Sequence, residues 1–85
     1  MVRDFVITNE QGIHARPATI LVQKANQFKS DIKITFNGVR TDLKSIMGVL
    51  SLGVKRGSLV TIEVTGIDEL DAMTAITKQI QAINS

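Results

Sequence analysis

Cysteine is absent from the 85 residues, so disulfides, thiol catalysis and cysteine-ligated metals are excluded. A chain without disulfides is compatible with the cytoplasm. Tryptophan and tyrosine are also absent and phenylalanine occurs three times, which leaves almost no flat surface on which bases stack. The isoelectric point near 9.3 invites a nucleic-acid reading. The formal net charge is only +2, however, and the basic residues are scattered, with Lys55-Arg56 and the pair Lys24 and Lys29 the closest groupings. Nucleic acid is therefore not expected as a partner. The longest uncharged run is the ten residues from Ser45 to Val54, far short of the ~20 that a membrane span needs. The opening Met1-Val2-Arg3-Asp4-Phe5 lacks the basic region and apolar core of a signal peptide. No membrane insertion is expected, and the chain is read as cytoplasmic and mature as written.

What is present is an ordinary globular composition, 44% hydrophobic and 21% charged, which argues against disorder. The length fits one domain over residues 1–85, with a core too thin for a deep cavity, so chemistry is expected near the surface. Residues Val2 to Thr8 read as a first strand, bounded by Asn9-Glu10-Gln11-Gly12. A helix is predicted from Ala15 to Phe28, with Ala18, Leu21, Val22, Ala25 and Phe28 as its buried stripe and Pro17 in its first turn. Ile32 to Phe36 and Val39 to Leu43 alternate apolar with polar across Asn37-Gly38, a hairpin signal. Ser45 to Leu52 reads as a short helix ended by Gly53, and Leu59 to Thr65 as a fourth strand. Asp68 is placed as the cap of a last helix reaching Ile83, with Met73, Ile76, Ile80 and Ile83 inward. The order β-α-β-β-α-β-α implies an α+β open-faced sandwich. Its four-stranded, mostly antiparallel sheet carries the helices on one face and Lys33, Thr35, Arg40 and Asp42 on the other.

The only histidine is His14, in Gly12-Ile13-His14-Ala15-Arg16-Pro17. A helix start presents free backbone N–H groups, here those of Ala15 and Arg16, and a partial positive charge that suits phosphate. Arg16 adds a fork of permanent donors. A ring nitrogen set beside such anion-binding features suits phosphoryl transfer onto the imidazole. The same pattern fits a solvated histidine at a helix start, and spacing alone does not separate the two. One histidine with no cysteine and no suitably spaced carboxylate gives no metal site, and no phosphate-binding Gly-x-x-x-x-Gly-Lys loop occurs. Ser45 suits a helix N-cap, worth about 1 kcal/mol, and also a kinase target at a helix start. Ile46, Met47 and Leu50 lie on one side of that short helix and Val49 and Leu52 on another, so one set is core and the other a docking patch, unless all five are core.

Gly-Ile-His-Ala-Arg-Pro-Ala-Thr at 12–19 resembles the active-site signature of the HPr family, the histidine-containing phosphocarriers of the bacterial phosphoenolpyruvate:sugar phosphotransferase system. Lys-Ser-Ile-Met-Gly-Val-Leu-Ser-Leu-Gly at 44–53 resembles the family's second signature, in its Gram-positive form. The resemblance covers essentially the whole chain. It implies that His14 accepts a phosphoryl group on Nδ1 from phosphorylated enzyme I and passes it to IIA domains of sugar permeases, with Arg16 stabilising it. It further implies that Ser45 is phosphorylated by HPr kinase/phosphorylase, that this form binds catabolite control protein A, and that Ile46, Met47 and Leu50 form the shared docking surface. A carrier of this kind is not a turnover enzyme, needs no cofactor and is expected as a monomer. A family type that lost the histidine and acts only through the serine is the alternative, against which His14 speaks. Gln11 stands where relatives usually have a smaller polar residue, and the basic isoelectric point is unusual among them.

Overall fold

Two adjacent residues with positive φ, Asn37 (52°) and Gly38 (79°), make the tight turn that the Asn-Gly pair predicts. They join β2 (Asp31–Phe36) to β3 (Val39–Asp42) in antiparallel register, with Phe36 opposite Val39 and Lys33 opposite Asp42. A computed structural model describes all residues from Met1 to Ser85. The other elements are β1 (Val2–Val6), α1 (Ala15–Ala25), α2 (Ile46–Leu52), β4 (Leu59–Thr65) and α3 (Glu69–Asn84). The sheet order is β1-β4-β2-β3 and every neighbour is antiparallel. The predicted α+β open-faced sandwich is therefore present.

The inward row of the two central strands, Ile32, Ile34, Val60, Ile62 and Val64, is fully buried. It meets Ala18, Leu21 and Ala25 of α1 and Ala72, Met73, Ile76 and Ile80 of α3 in one cluster of 17 buried residues. Each large aliphatic side chain withdrawn from water contributes about 1.5–3 kcal/mol, so this cluster is the main source of stability. The α1 and α3 helices lie side by side, and α2 packs against α1 and β3. The opposite face carries Lys33, Thr35, Arg40 and Asp42, as the alternation predicts, with an Arg40–Glu63 ion pair at 3.2 Å.

Several boundaries differ from the sequence reading. Strand β1 stops at Val6 rather than Thr8, because the Thr8 N–H donates to the Asn84 side chain instead of a strand. Helix α1 stops at Ala25, and the Gln27 and Phe28 amides close tighter turns onto Lys24 and Ala25. Ser45 stands outside α2 as its N-cap. Val22, Phe28 and Ile83 are only partly buried against the core.

Asp68 occupies the position before α3, but its carboxylate makes no cap hydrogen bond. It accepts instead from the main-chain N–H of Lys29 (2.8 Å) and Ser30 (2.9 Å) and from the Ser30 hydroxyl. Three converging donors outcompete one helix amide. The segments are pressed together: a Cβ on Gly66 would lie 2.7 Å from the Ser30 Cα. The Ser30 hydroxyl bond first, and then the Lys29 amide, hold the Asp68 carboxyl down at about 2 from its ordinary 3.8.

Because the folded value is depressed, this tie contributes its full stability above 3.8 and loses it as pH falls toward 2. Urea midpoints of the wild type and of Asp68→Asn should therefore differ at neutral pH, with the wild type more stable. The gap should narrow as pH drops through that window. A gap independent of pH would remove the carboxylate from this role.

Candidate functional site

The loop between β1 and α1 is anchored at both ends by buried isoleucines, Ile7 and Ile13, each 1% exposed. Between them the chain closes on itself, with the Gly12 N–H donating to the Asn9 carbonyl (3.0 Å) and the Asn9 side-chain amide donating to the Gly12 carbonyl (2.9 Å). Gly12 has φ of 61° and rests on the segment after α2. A Cβ there would stand 2.1 Å from the Val54 carbonyl oxygen, so only glycine fits. The Ile13 N–H then donates to that same oxygen at 3.1 Å.

Asn84, at the end of α3, pins the near side of the loop. Its Oδ1 accepts from the Thr8 N–H (2.9 Å) and the Asn9 N–H (3.4 Å), and its Nδ2 donates to the Val6 carbonyl (2.9 Å). The Thr8 hydroxyl donates to the Asn84 carbonyl at 3.3 Å. Nothing local in the sequence marks Asn84, because its partners lie at the other end of the chain.

His14 emerges from this support exposed, in extended conformation (φ −131°, ψ 155°), and its side chain caps nothing. Ala15 follows with φ of 47°, a conformation that costs a residue bearing a Cβ of order 1 kcal/mol or more. The N–H groups of Ala15 and Arg16 donate to nothing in the protein. Pro17 has no N–H to offer and is buried. By contrast, the Ser45 hydroxyl oxygen accepts from the Gly48 N–H (3.1 Å) in α2, and Gly66 and Asp68 carbonyls accept the Glu69 and Ala72 amides of α3. The start of α1 thus has neither the side-chain cap of α2 nor the carbonyl cap of α3, and the exposed Arg16 guanidinium, which forms no ion pair, stands beside it. His14 lines a shallow groove with Gln11, Ile13, Gly53, Val54 and Lys55. Lys55 enters the site unforeseen; the sequence shows it only as half of a basic pair. No three His, Asp or Glu side chains converge to hold a metal.

Ser45 is half-buried at the other end of α2. Counting 1.5 Å per residue to Gly53, it lies roughly 12 Å from the His14 groove. The expected apolar set divides: Met47 is 75% exposed, while Ile46 and Leu50 are half-buried against the core. Val49 is fully buried and Leu52 partly so. Met47 is the apex of the patch and its neighbours are its shoulders.

The PTS-HPr family model, described as the PTS HPr component phosphorylation site, matches residues 1–82. The fold is similar to that of HPr-C-His from Thermoanaerobacter tengcongensis, with TM-score 0.95, 37% identity, and coverage of 99% of this chain and 94% of that one. The Mycoplasma histidine-containing phosphocarrier protein matches with TM-score 0.93 and 37% identity over 98% of this chain and 96% of that one. Crh, a catabolite repression protein of Bacillus subtilis described as a domain-swapped dimer, matches with TM-score 0.77 and 39% identity, over 87% of this chain and 85% of that one.

Removing the Asn84 side chain (Asn84→Ala) should free the Thr8 and Asn9 amides and cost about 1 kcal/mol. Hydrogen exchange at both amides should quicken about tenfold while exchange in the β2–β4 ladder follows only the global loss. Unchanged exchange at Thr8 would show that the clamp does not hold in solution.

Proposed function

The chain belongs to the HPr family of the phosphotransferase system, and we propose that it carries a phosphoryl group on Nδ1 of His14. The group comes from phosphorylated enzyme I and goes to the IIA domains of sugar permeases. The observation that carries this reading is the pairing of an exposed histidine with the open, uncapped start of α1. In the step itself the neutral ring's Nδ1 lone pair attacks phosphorus. The Nδ1–P bond forms as the bond from phosphorus to the donor breaks, and that electron pair leaves with the donor. The phosphoryl oxygens, carrying close to two negative charges, then meet the Ala15 and Arg16 amides and the Arg16 guanidinium. The reverse exchange delivers the group to the next partner, so the protein is a carrier and not a turnover catalyst.

The docking surface in this reading is the exposed Met47 with Ile46 and Leu50 at its sides, next to the His14 groove through Gly53 and Val54. Ser45 is its regulatory position, a target of HPr kinase/phosphorylase whose modified form binds catabolite control protein A. A phosphate there brings about two negative charges to the border of an apolar contact, one helix length from His14. It would hinder docking of enzyme I without touching the histidine. We place the protein in the cytoplasm as a monomer. The likeness to Crh supports a second reading, a purely regulatory role through Ser45; the intact His14 site favours the carrier.

Purified enzyme I and phosphoenolpyruvate should add a single acid-labile phosphoryl group, read by intact mass. His14→Ala should keep the fold and take none. No transfer to a folded wild type, from an enzyme I active on a known carrier, would turn the assignment to the Ser45 reading. Separately, Ser45→Asp should accept phosphoryl groups about tenfold more slowly at subsaturating concentration. A wild-type rate in that variant would sink the account of cross-talk.

A further inference from the structure

We propose that Lys55 is a second cation for the phosphoryl group on His14, facing it from across the groove. The inference rests on the carrier reading and adds a residue to its site. Lys55 and His14 line the same groove. Their main chains are held together: the Lys55 Cα would lie 2.8 Å from a Cβ on Gly12, and the Ile13 N–H bonds to the Val54 carbonyl. The Lys55 backbone is fixed from its far side as well. Its N–H donates to the Ser58 hydroxyl (3.2 Å), its carbonyl accepts from the Ser58 N–H (3.1 Å), and the Gly57 N–H bonds to the Ile7 carbonyl (2.6 Å). The Lys55 arm therefore starts from a base as rigid as the one beneath His14.

Its charge is also free. The molecule's ion pairs are Met1–Glu69, Lys33–Asp31 and Arg40–Glu63, and Lys55 is in none. In the two segments that form the groove, residues 9–16 and 53–57, the only acid is Glu10, which is exposed and pairs with nothing. A cation left without a carboxylate beside an exposed nucleophile is suited to a dianion that arrives with the reaction. An ammonium is a compact point charge with three rotatable donors on a flexible stem, so it follows oxygens whose positions change as the group moves between proteins. The arrangement gives the phosphoryl group two sides, the Ala15 and Arg16 donors on one and Lys55 on the other. No bond to Lys55 forms.

The first arm of the test needs no partner protein. Phosphoramidate phosphorylates histidine directly, and the phosphorus NMR signal of the product, followed against pH, reports the last ionisation of the phosphoryl group. A nearby cation favours the dianion. Lys55→Gln should move that ionisation to higher pH and Lys55→Arg should bring it back, with amide spectra showing all three proteins folded. With enzyme I as donor, Lys55→Gln should slow transfer about fivefold at subsaturating concentration. Superimposable phosphorus titrations for wild type and Lys55→Gln overturn the proposal. If they superimpose while transfer slows, Lys55 serves the docking of enzyme I rather than the phosphoryl group. Failure of the wild type with enzyme I alone would instead count against the carrier reading, since the chemical phosphorylation stands apart from it.

Discussion

The backbone of Gly12 rests on the Val54 carbonyl so closely that no side chain fits between them. Much of the site depends on that contact. It brings the loop after β1 against the loop after α2 and aligns the Ile13 N–H with the same carbonyl. It also puts the ends of two helices into one groove. Gly53, with φ of 66°, turns the chain out of α2 and toward this meeting point. Ile7 and Ile13 fasten the arrangement to the core from beneath. His14 stands on the outside of a junction whose inner side is fully packed, so it is positioned without being buried.

The three helix starts divide between structure and exposure. The Ser45 hydroxyl takes one early amide of α2, and the Gly66 carbonyl takes the first amide of α3, so each of those ends is partly closed. The start of α1 is open, and the residue that would cap it is the exposed histidine. Pro17 removes one donor from that end without leaving an orphan, which concentrates the free N–H groups on Ala15 and Arg16, next to the ring. Backbone strain falls at the same place, at Ala15. A cap residue that satisfied these amides would lower the energy of the free protein and remove the donors from any arriving anion. The open end is thus a local cost that the 17-residue core easily supports.

What the sequence made legible was whatever depends on near neighbours. The Asn37-Gly38 turn, the alternation in β2 and β3, the Ser45 cap and the histidine before a proline-marked helix all act within a few residues, and all were read correctly in place. Asp68 stands at the N-cap position that its local sequence predicts, but its carboxylate goes to partners 38 and 39 residues away. Asn84 was invisible for the same reason, since it bonds to residues 75–78 positions earlier. Lys55 was seen as charge without an address, because only the Gly12–Val54 contact gives it one. The patch on α2 was half legible: periodicity separated two faces, but only packing decided that Met47 projects while Val49 is enclosed.

Exposure is also what carriage requires energetically. A phosphoryl group that is to be handed on must be held, yet not deeply. Charged contacts in a solvent-screened site are worth at most about 1 kcal/mol each, against several for a buried ion contact. A pocket that enclosed the phosphoryl group between desolvated cations would stabilise the phosphorylated form against both donor and acceptor, and exchange in each direction would slow. In the proposed site, free amides at a helix start, one exposed guanidinium and one exposed ammonium would give instead a set of contacts that any partner can displace with its own donors. The thin core, which leaves no room for a deep cavity, is therefore matched to the chemistry rather than a limit on it. Rigidity is spent on the loop that aims the ring, and none on enclosing what the ring carries.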